Sequence, residues 1–353
     1  MMAAMTTETP FEGRDDPLYL RARQLVLFRR APGIATLQRA LRIGHQHATR
    51  LRDAMRGDIL NCDEQGHGWH IAEGAGEGPD LLLQDKLAQA AHWISTAQAM
   101  VVAAGAGMGI DSGLRFGNMG SPEAFQQRPA AVWGVYGHQL NLYRAATPHA
   151  GFGLLHAWGQ RMQQGCFVFT SNIDGHFQKA GFTPARVYEC RGSIHRLQCA
   201  DNCKGPIWST TDLRPQVDEA ACEWRGELPT CPRCGALARP NILMADDWQW
   251  NATRSAQQRM LLDMWLDSVQ APLVLEIGAG RAVPTVRNFT RRMQLRGSRL
   301  IRINLHEANI HNPRDIELAL GAKQALQALE AHLVSQGSTN HSKEKADGDA
   351  PRI

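Results

Sequence analysis

The hydrophobic positions of the first 72 residues predict a small helical module that ends in a hairpin. Asp15-Asp16-Pro17 is a helix-start signal, and apolar residues recur at helical spacing after it until Pro32-Gly33 breaks the pattern. Helix, short helix, tight turn, helix and hairpin together are typical of a winged helix-turn-helix module, here placed at residues 15–72. The predicted elements are a helix up to residue 31, helices at 35–41 and 45–55, and hairpin strands at 59–60 and 69–71.

Beyond a glycine-rich linker at 74–79, the pattern changes to buried-type strands that alternate with helices. Strands that run into glycine turns and are followed by helices predict an α/β fold with a doubly wound, Rossmann-like parallel sheet over residues 80–335. The polar stretch 336–353 has no periodicity and predicts a disordered tail. The predicted strands are 101–105, 166–170, 186–189, 273–277 and 300–304, and the predicted helices are 83–97, 123–127, 149–163 and 316–334.

The composition indicates a globular protein, and the charge distribution indicates a nucleic-acid partner. The chain is 43% hydrophobic and 20% charged, as ordinary globular proteins are. Without a long apolar run or a signal-like segment, we expect a cytoplasmic protein with no membrane partner. Residues 14–56 hold ten arginines against three aspartates, whereas the whole chain has a net charge of only +4. Such a basic module indicates a nucleic-acid partner and adds nucleoid association as an alternative.

Half of the eight cysteines lie in two metal-type pairs. Cys199-x3-Cys203 precedes Cys231-x2-Cys234, and Gly235 permits the sharp turn that aims two sulfurs at one ion. Four thiolates without a histidine predict a closed, structural Zn²⁺ site inside a zinc-ribbon insert at about 195–240. The remaining cysteines, which fit no pair, are Cys62, Cys166, Cys190 and Cys222.

The ends of the predicted strands carry residues that suit a nucleotide. Glycine turns let backbone N–H groups approach a pyrophosphate, and the N-terminus of the following helix favours negative charge. Such a turn alone is also common where nothing binds, so the argument depends on the ordered set. The candidate cofactor-binding residues are Gly105, Ala106, Gly107, Met108, Ser112, Asn172, Asp174, Gly278, Ala279, Gly280 and Asn304.

Together with the cysteines, Thr170–Gly175 and Glu189–Ser193 make the chain resemble the sirtuin (Sir2) family of NAD-dependent protein deacylases over about residues 80–335. The resemblance implies NAD or ADP-ribose as cofactor and an acyl-lysine peptide as substrate. It also implies that Asn172 and Asp174 hold the nicotinamide end and that Asn304 lies near the adenosine.

Three segments depart from the family pattern. After Ser112-Gly113-Leu114 the family's Pro-Asp-Phe-Arg is missing, its Phe-Gly is replaced by Ala245-Asp246, and its catalytic His-Gly is Arg191-Gly192. Arginine stays protonated at physiological pH and cannot be a general base, and an aspartate in an acyl channel repels an apolar acyl group. His195 lies four residues on, roughly 13 Å along an extended chain, so we do not expect it to replace the base.

The N-terminal module carries a second resemblance. Asp16–Tyr19, Leu37–Arg39, Arg42–Gly44 and Arg50–Met55 resemble the winged-helix gamma module of FtsK-type DNA translocases, which implies DNA binding. Arginine suits phosphate and guanine, and glutamine can read adenine. The family's Tyr-Asn-Arg is His45-Gln46-His47 here, so its DNA target is not implied. The candidate DNA contacts are Arg39, Arg42, His45, Gln46, His47 and Arg50.

Three hypotheses remain open at this point. The favoured one is a DNA-binding regulator whose sirtuin-like domain senses NAD or ADP-ribose while its catalysis is impaired, because Arg191 stands in place of the base. The second is an active deacylase, NAD hydrolase or ADP-ribosyl transferase brought to DNA. The third is a partner-binding module without a nucleotide. Helix-turn-helix repressors commonly dimerise on DNA half-sites, so a homo-oligomer is a further expectation.

Overall fold

The computed structural model describes residues 13–16, 18–29, 31–57, 59–63, 68–72, 79–114, 121–310, 312 and 314–347. Its contacts divide the chain into two compact units. One comprises the described residues up to Trp93, those between Asn309 and Leu318, and those from His332 onward. The other comprises Ile94–Ala308 and Ala319–Ala331.

The chain contains helices, strands and two short 3-10 turns at Gly13–Asp15 and Pro184–Arg186. The helices are α1 Tyr19–Arg29, α2 Ile34–Leu41, α3 His45–Ala54, α4 Pro79–Thr96, α5 Gly107–Ile110, α6 Pro122–Gln127, α7 Pro129–Ala145, α8 Ala150–Arg161, α9 His176–Lys179, α10 Thr253–Ser268, α11 Thr285–Leu295 and α12 Ala322–Asp347. The strands are β1 Leu60–Asn61, β2 His70–Ile71, β3 Met100–Ala104, β4 Cys166–Thr170, β5 Val187–Glu189, β6 Gly192–Cys199, β7 Trp208–Ser209, β8 Val217–Asp218, β9 Glu223–Trp224, β10 Ala238–Ile242, β11 Leu273–Ile277, β12 Leu300–Ile303 and β13 Ile316–Leu318.

The three helices and the hairpin predicted near the N-terminus are present. Asp16 starts the first helix, because its Oδ1 accepts a hydrogen bond from the backbone N–H of Leu18 at 2.8 Å. The α2–α3 turn is closed by Arg42 in the left-handed conformation, at φ 55°. Side chains of all three helices and of β1 form one buried core: Leu18, Tyr19, Ala22, Val26, Leu37, Ala48, Leu51, Met55, Ile59 and Leu60.

The predicted doubly wound sheet is confirmed. It has six strands in the order β13-β12-β11-β3-β4-β5. The pairs β11–β12, β11–β3, β3–β4 and β4–β5 are parallel. Buried side chains of α10 and α11 cover one face; Phe289, for example, stacks on Phe169 with ring centroids 4.0 Å apart. The fully buried strands β3 and β11 lie at the centre of the sheet, as their hydrophobic runs predict.

A smaller β module stands between β5 and α10. It contains the antiparallel sheet β10-β6-β7 and the hairpin β8–β9. Helix α7 packs on it: Trp133 lies against Trp224, and its indole N–H donates to the carbonyl of Ala238 at 3.0 Å. The buried residues of this second core include Phe125, Tyr136 and Ile242.

Three sequence expectations about secondary structure were wrong. The segment 316–334 begins as strand β13, where Ile316 and Leu318 are buried and Glu317 is not, which is the two-residue period of a strand. Helix α12 then continues past residue 336, where the sequence predicted a disordered tail, and runs to Asp347, although Gly337, Ser338, Thr339 and Asn340 have low helix propensity; residues 348–353 lie outside the described residues. Helices α7 and α10 were not predicted, and Gly134 and Gly137 of α7 are packing positions against β8 and β9 rather than helix breaks.

The described helices were also compared with the requirements of a bilayer span. None of them is long and apolar enough to cross a membrane.

Candidate nucleotide and metal sites

The turns that follow the central strands meet at one edge of the parallel sheet. From β3 the chain first adds β4 and β5 on one side and later returns to add β11 and β12 on the other side, so the strand order reverses at β3. The crevice at the carboxyl ends of strands, at such a switch point, is where open α/β sheets bind ligands. The turns after β3, β4 and β11 carry Gly105–Met108, Asn172–Asp174 and Gly278–Gly280 to this crevice.

The two glycine turns pack backbone against backbone. The Gly105 N–H donates to the Ile277 carbonyl at 2.9 Å, and the Gly107 N–H donates to the Gly278 carbonyl at 3.0 Å. Gly278 has φ +63°, and a Cβ on it would lie 2.4 Å from the Gly107 carbonyl carbon and from the Met108 nitrogen. No side chain fits there without moving one of the two turns.

Two asparagines that the sequence assigned to the cofactor hold these turns in place. The Asn172 side-chain amide donates to the Gly105 carbonyl at 3.0 Å, and the Asn304 amide donates to the Ala279 carbonyl at 3.0 Å. The Asn304 side-chain oxygen also accepts from the backbone of His306 and Glu307. Each asparagine therefore positions a glycine turn through its NH₂ group, whatever further contact it makes.

His149 links the first glycine turn to α8 and was missed by the sequence analysis. Its Nε2 donates to the Met108 carbonyl at 2.9 Å, and its Nδ1 accepts from the Gly151 N–H at 3.0 Å. Its own backbone N–H donates to the Ser112 hydroxyl at 3.0 Å. Burial lowers the pKa of the ring. The signal in the sequence was its position as helix N-cap directly after Pro148.

Asp174 and His176 are buried polar residues at the turn after β4. The Asp174 Oδ1 accepts from the His176 N–H at 2.8 Å, but its Oδ2 and both ring nitrogens of His176 have no hydrogen-bond partner among the described residues. Burial, and to a smaller extent the Glu189 carboxylate, raise the pKa of the Asp174 carboxyl to about 6 against the lowering effect of backbone hydrogen bonds and of Lys179. Burial and the neighbouring Lys179 lower the pKa of His176 to about 4. At neutral pH the carboxyl is mostly ionised and the imidazole neutral.

Arg191 lies on the turn between β5 and β6, beside the Asn172–Asp174 turn. The Ile194 N–H donates to the Ile173 carbonyl at 3.1 Å, and the Arg191 carbonyl accepts from Leu243 at 2.9 Å. None of the described residues forms a hydrogen bond or an ion pair with the half-buried Arg191 guanidinium. The next residue, Gly192, has φ +80°, and a Cβ there would lie 2.0 Å from the Asn241 carbonyl oxygen.

His195, on strand β6, contacts the turn after β4. Its Nε2 donates to the Asp174 carbonyl at 2.8 Å, because β6 runs back past the turn after β4. A Cβ on Gly175 would lie 2.8 Å from the His195 ring. Burial lowers the pKa of this imidazole, and its hydrogen bond to Asp174 opposes that effect.

The loop expected to line an acyl channel is organised by a buried ion pair. Both guanidinium Nη atoms of Arg239 bind the carboxylate of Asp247 at 2.8 Å, and the two side chains are almost fully buried. Asp246 has φ 49° and an exposed side chain. The carboxylate that faces the interior of the loop is therefore the neutralised Asp247.

The four predicted metal ligands come together. The Sγ atoms of Cys199, Cys203, Cys231 and Cys234 all lie within 4.8 Å of one another. The Cys199–Cys234 and Cys203–Cys231 sulfur distances are 3.6 Å and 3.7 Å. Zn–S bonds of about 2.3 Å in a tetrahedron separate the sulfurs by about 3.8 Å, so this donor set fits a structural Zn²⁺.

The six candidate DNA contacts lie on and between α2 and α3. Arg39, Arg42, His45, Gln46 and Arg50 are exposed or half-exposed. His47 differs, because its Nε2 is bonded to the buried Asp16 carboxylate at 2.6 Å. That contact ties α3 to the start of α1 and occupies one ring nitrogen of His47.

Comparison with protein families and relatives agrees with this architecture. Residues 106–262 match the model of the Sir2 family. An NAD-dependent protein deacylase of Corynebacterium glutamicum is 26% identical over 268 residues, which cover 70% of this chain and 96% of that protein. A probable bifunctional ADP-ribose hydrolase/ADP-ribosyltransferase of Fusarium oxysporum f. sp. cubense is also 26% identical, over 58% of this chain and 39% of its own length.

Solved structures give the fold directly. A mutant Sir2 homologue in complex with ADP-ribose superposes with a TM-score of 0.57 at 20% identity, covering 71% of this chain and 97% of that chain. A Sir2 homologue–NAD complex gives a TM-score of 0.56 at 19% identity, covering 70% and 94%. The α/β domain of this chain, with its inserted four-cysteine module, therefore has the sirtuin (Sir2) fold.

Proposed function

We propose that this protein is a DNA-binding regulator whose sirtuin-type domain binds NAD or ADP-ribose but is impaired in deacylation. The observation that carries the proposal is Arg191, which has no partner among the described residues and lies on the turn where the family resemblance puts the catalytic histidine. The N-terminal module supplies the contact with DNA, and the nucleotide is the signal.

Nucleotide binding is supported by the crevice at the switch point of the sheet. The turns at Gly105–Gly107 and Gly278–Gly280 carry no side chain larger than the methyl groups of Ala106 and Ala279, so a pyrophosphate can approach their backbone. The relatives solved with ADP-ribose and with NAD have this same fold. On this proposal Asn172 and Asn304 act mainly by positioning the turns, and Asp174 and Ser112 offer oxygens to ribose hydroxyl groups.

Impaired deacylation follows from proton chemistry. Deacylation in the manner of the family requires a group that accepts a proton from the ribose hydroxyl relay. An arginine side chain has no acceptor and stays charged, so Arg191 cannot do this. Its planar guanidinium instead suits a phosphate or carboxylate oxygen, and such a contact would favour nucleotide binding without turnover.

The first test is nicotinamide release. Purified protein with NAD, with and without an acetyl-lysine peptide, is followed by chromatography beside Arg191→His and Asn172→Ala. We expect no release above background from the wild type, a melting temperature that rises with NAD or ADP-ribose, and at most weak release from Arg191→His. Peptide-dependent turnover by the wild type would refute impaired deacylation, and absence of any thermal shift would refute nucleotide binding.

A second candidate, NAD hydrolysis or ADP-ribosyl transfer, is supported by His195. This imidazole lies at the Asp174 turn and is held in a defined orientation by the Asp174 carbonyl. These reactions need no acyl-lysine peptide, and one relative is named for ADP-ribosyl transfer. The nicotinamide assay separates the candidates: peptide-independent release that His195→Gln abolishes would favour the second.

DNA binding is supported by the solvent-accessible arginines of α2 and α3. Arg42 and Arg50 are suited to phosphate contacts, and removing one such contact lowers the slope of the salt dependence of binding by about one unit. We expect Arg42→Gln with Arg50→Gln to weaken binding to mixed-sequence duplex DNA at least tenfold. Arg21→Gln, an exposed arginine on α1, is the matched control. Equal affinities for wild type and double variant would exclude this face as the DNA contact.

A further inference from the structure

A cavity lies between the β module and the start of α10, and none of the glycine-turn residues lines it. Its volume is about 340 Å³, within the range of small-molecule sites. Arg196 of β6 and Arg254 of α10 line it, together with Asn251, Thr253 and Gln257. None of the lining residues is acidic.

Both arginines have N–H groups that no described residue accepts a hydrogen bond from. The Arg254 Nη2 binds the buried Glu189 carboxylate, whereas its Nη1 is buried without a hydrogen-bond partner among the described residues. Arg196 forms no ion pair or side-chain hydrogen bond within the described part of the chain. Because Glu189 offsets the charge of Arg254, Arg196 gives the cavity a net positive charge. A buried donor without a partner is unfavourable, so an acceptor placed here is stabilised.

The N-terminus of α10 adds to the positive charge of the cavity. α10 is a 16-residue helix with no acidic residue in its first turn, and the N-terminal residues Thr253 and Arg254 line the cavity. The N-terminus of such a helix carries about half a positive charge and attracts anions. The Asn251 side-chain oxygen already accepts from the Thr253 N–H at 3.1 Å, so Asn251 offers its NH₂ group to a hydroxyl, whereas the Gln257 amide can donate or accept and Ile207 offers an apolar surface.

We propose that this cavity is a binding site for a small phosphate monoester with a hydroxylated body, distinct from the nucleotide crevice. The phosphate dianion contacts the Arg196 guanidinium and is attracted by the positive N-terminus of α10 that carries Arg254, and the polar amides take the hydroxyl groups. The cavity is larger than a bare phosphate needs, which is why an ester rather than the free ion is assigned. Arginine forks match phosphate oxygens better than a single point charge does.

The test is titration calorimetry of the full chain with glycerol phosphate, with inorganic phosphate and with uncharged glycerol as matched probes. We expect glycerol phosphate to bind, inorganic phosphate to bind more weakly, and glycerol not to bind. Arg196→Gln should weaken glycerol phosphate binding at least tenfold. Arg259→Gln, an exposed arginine further along α10 that pairs with Asp263, should not change it.

Two further variants keep the test decisive. Arg254→Lys retains a cation beside Glu189 but loses the fork, and Gln257→Glu adds a negative charge to the lining; both should weaken binding with an unchanged circular dichroism spectrum. No binding by the wild type, or equal affinity for wild type and Arg196→Gln, would overturn the proposal. Loss of binding in Asn172→Ala with retention in Arg196→Gln would place the phosphate at the glycine turns and equally overturn it.

Discussion

The two glycine turns and the β5–β6 turn lie at the same edge of the sheet but are constrained differently. At the glycine turns the backbone atoms approach so closely that only glycine fits. A Cβ on Gly278, for example, would lie 2.4 Å from atoms of Gly107 and Met108. On the β5–β6 turn, Gly192 is equally confined, yet the neighbouring Arg191 meets no partner among the described residues. The fold therefore dictates Gly192 and leaves position 191 to chemistry. Substitutions at position 191 can therefore change the chemistry of this turn without disturbing the fold.

The largest effect is expected from adding a methyl group to the packed glycine turns. Gly278→Ala combines a positive φ with contacts to Gly107 and Met108, so we expect it to lower the free energy of unfolding by about 3 kcal/mol or more. In Gly280→Ala the new Cβ meets only the Glu307 carboxylate at 3.8 Å, and we expect a change within about 0.5 kcal/mol. Urea unfolding measures both. Equal stabilities of the two variants would mean that the turns yield easily.

Gly192→Ala tests the confined half of the β5–β6 turn. Its Cβ would collide with the Asn241 carbonyl, but β10 already has a bulge between Pro240 and Asn241 and can give way. We therefore expect a smaller loss, about 2 kcal/mol, again by urea unfolding. A loss as large as that of Gly278→Ala would show that the bulge is rigid.

His176→Leu extends the comparison to the turn after β4. The folded pKa of His176, about 4, is below its ordinary value, so the unfolded chain binds more protons between about pH 4 and 6.5. This histidine therefore costs stability as the pH falls through that window. Asp174, with a pKa raised to about 6, acts in the opposite direction and remains in the variant.

The quantity to compare is the free energy of unfolding of His176→Leu minus that of the wild type. We expect this difference to be about 1–2 kcal/mol more favourable to the variant at pH 4.5 than at pH 7.5. Unfolding curves at the two pH values measure it, and the exposed His138→Asn is the control. If both variants lose stability in acid as the wild type does, His176 is not buried in its neutral form.

The smallest effect on stability is expected at position 191. Arg191→Gln removes a charge that no described residue pairs with, so the free energy of unfolding should change by less than about 0.5 kcal/mol. Its nucleotide affinity should nevertheless fall if the guanidinium contacts a phosphate. A large loss of stability instead would make Arg191 part of the scaffold and remove the contrast with Gly192.

The sequence predicted features whose cause is local. The cysteine spacing, the buried strands β3 and β11, and the glycine turns each depend on neighbouring residues, and all were found. It could not show which distant segments meet. Strand β6 brings His195 to the Asp174 carbonyl, a contact that its four-residue separation from Arg191 does not reveal. Nor could spacing show that Arg239 and Asp247 neutralise each other, because that pairing depends on how the whole loop folds.

The hydrogen bonds of His149 fix more than a side-chain position. Because Nε2 must donate to Met108 and Nδ1 must accept from Gly151, only one tautomer of this imidazole satisfies both contacts. The neutral ring thus links the glycine turn to the start of α8 through two hydrogen bonds. A ligand that displaces the turn must lengthen the hydrogen bond from Nε2–H to the Met108 carbonyl, so the resonance of that one imidazole proton can report occupancy of the crevice without any label on the ligand.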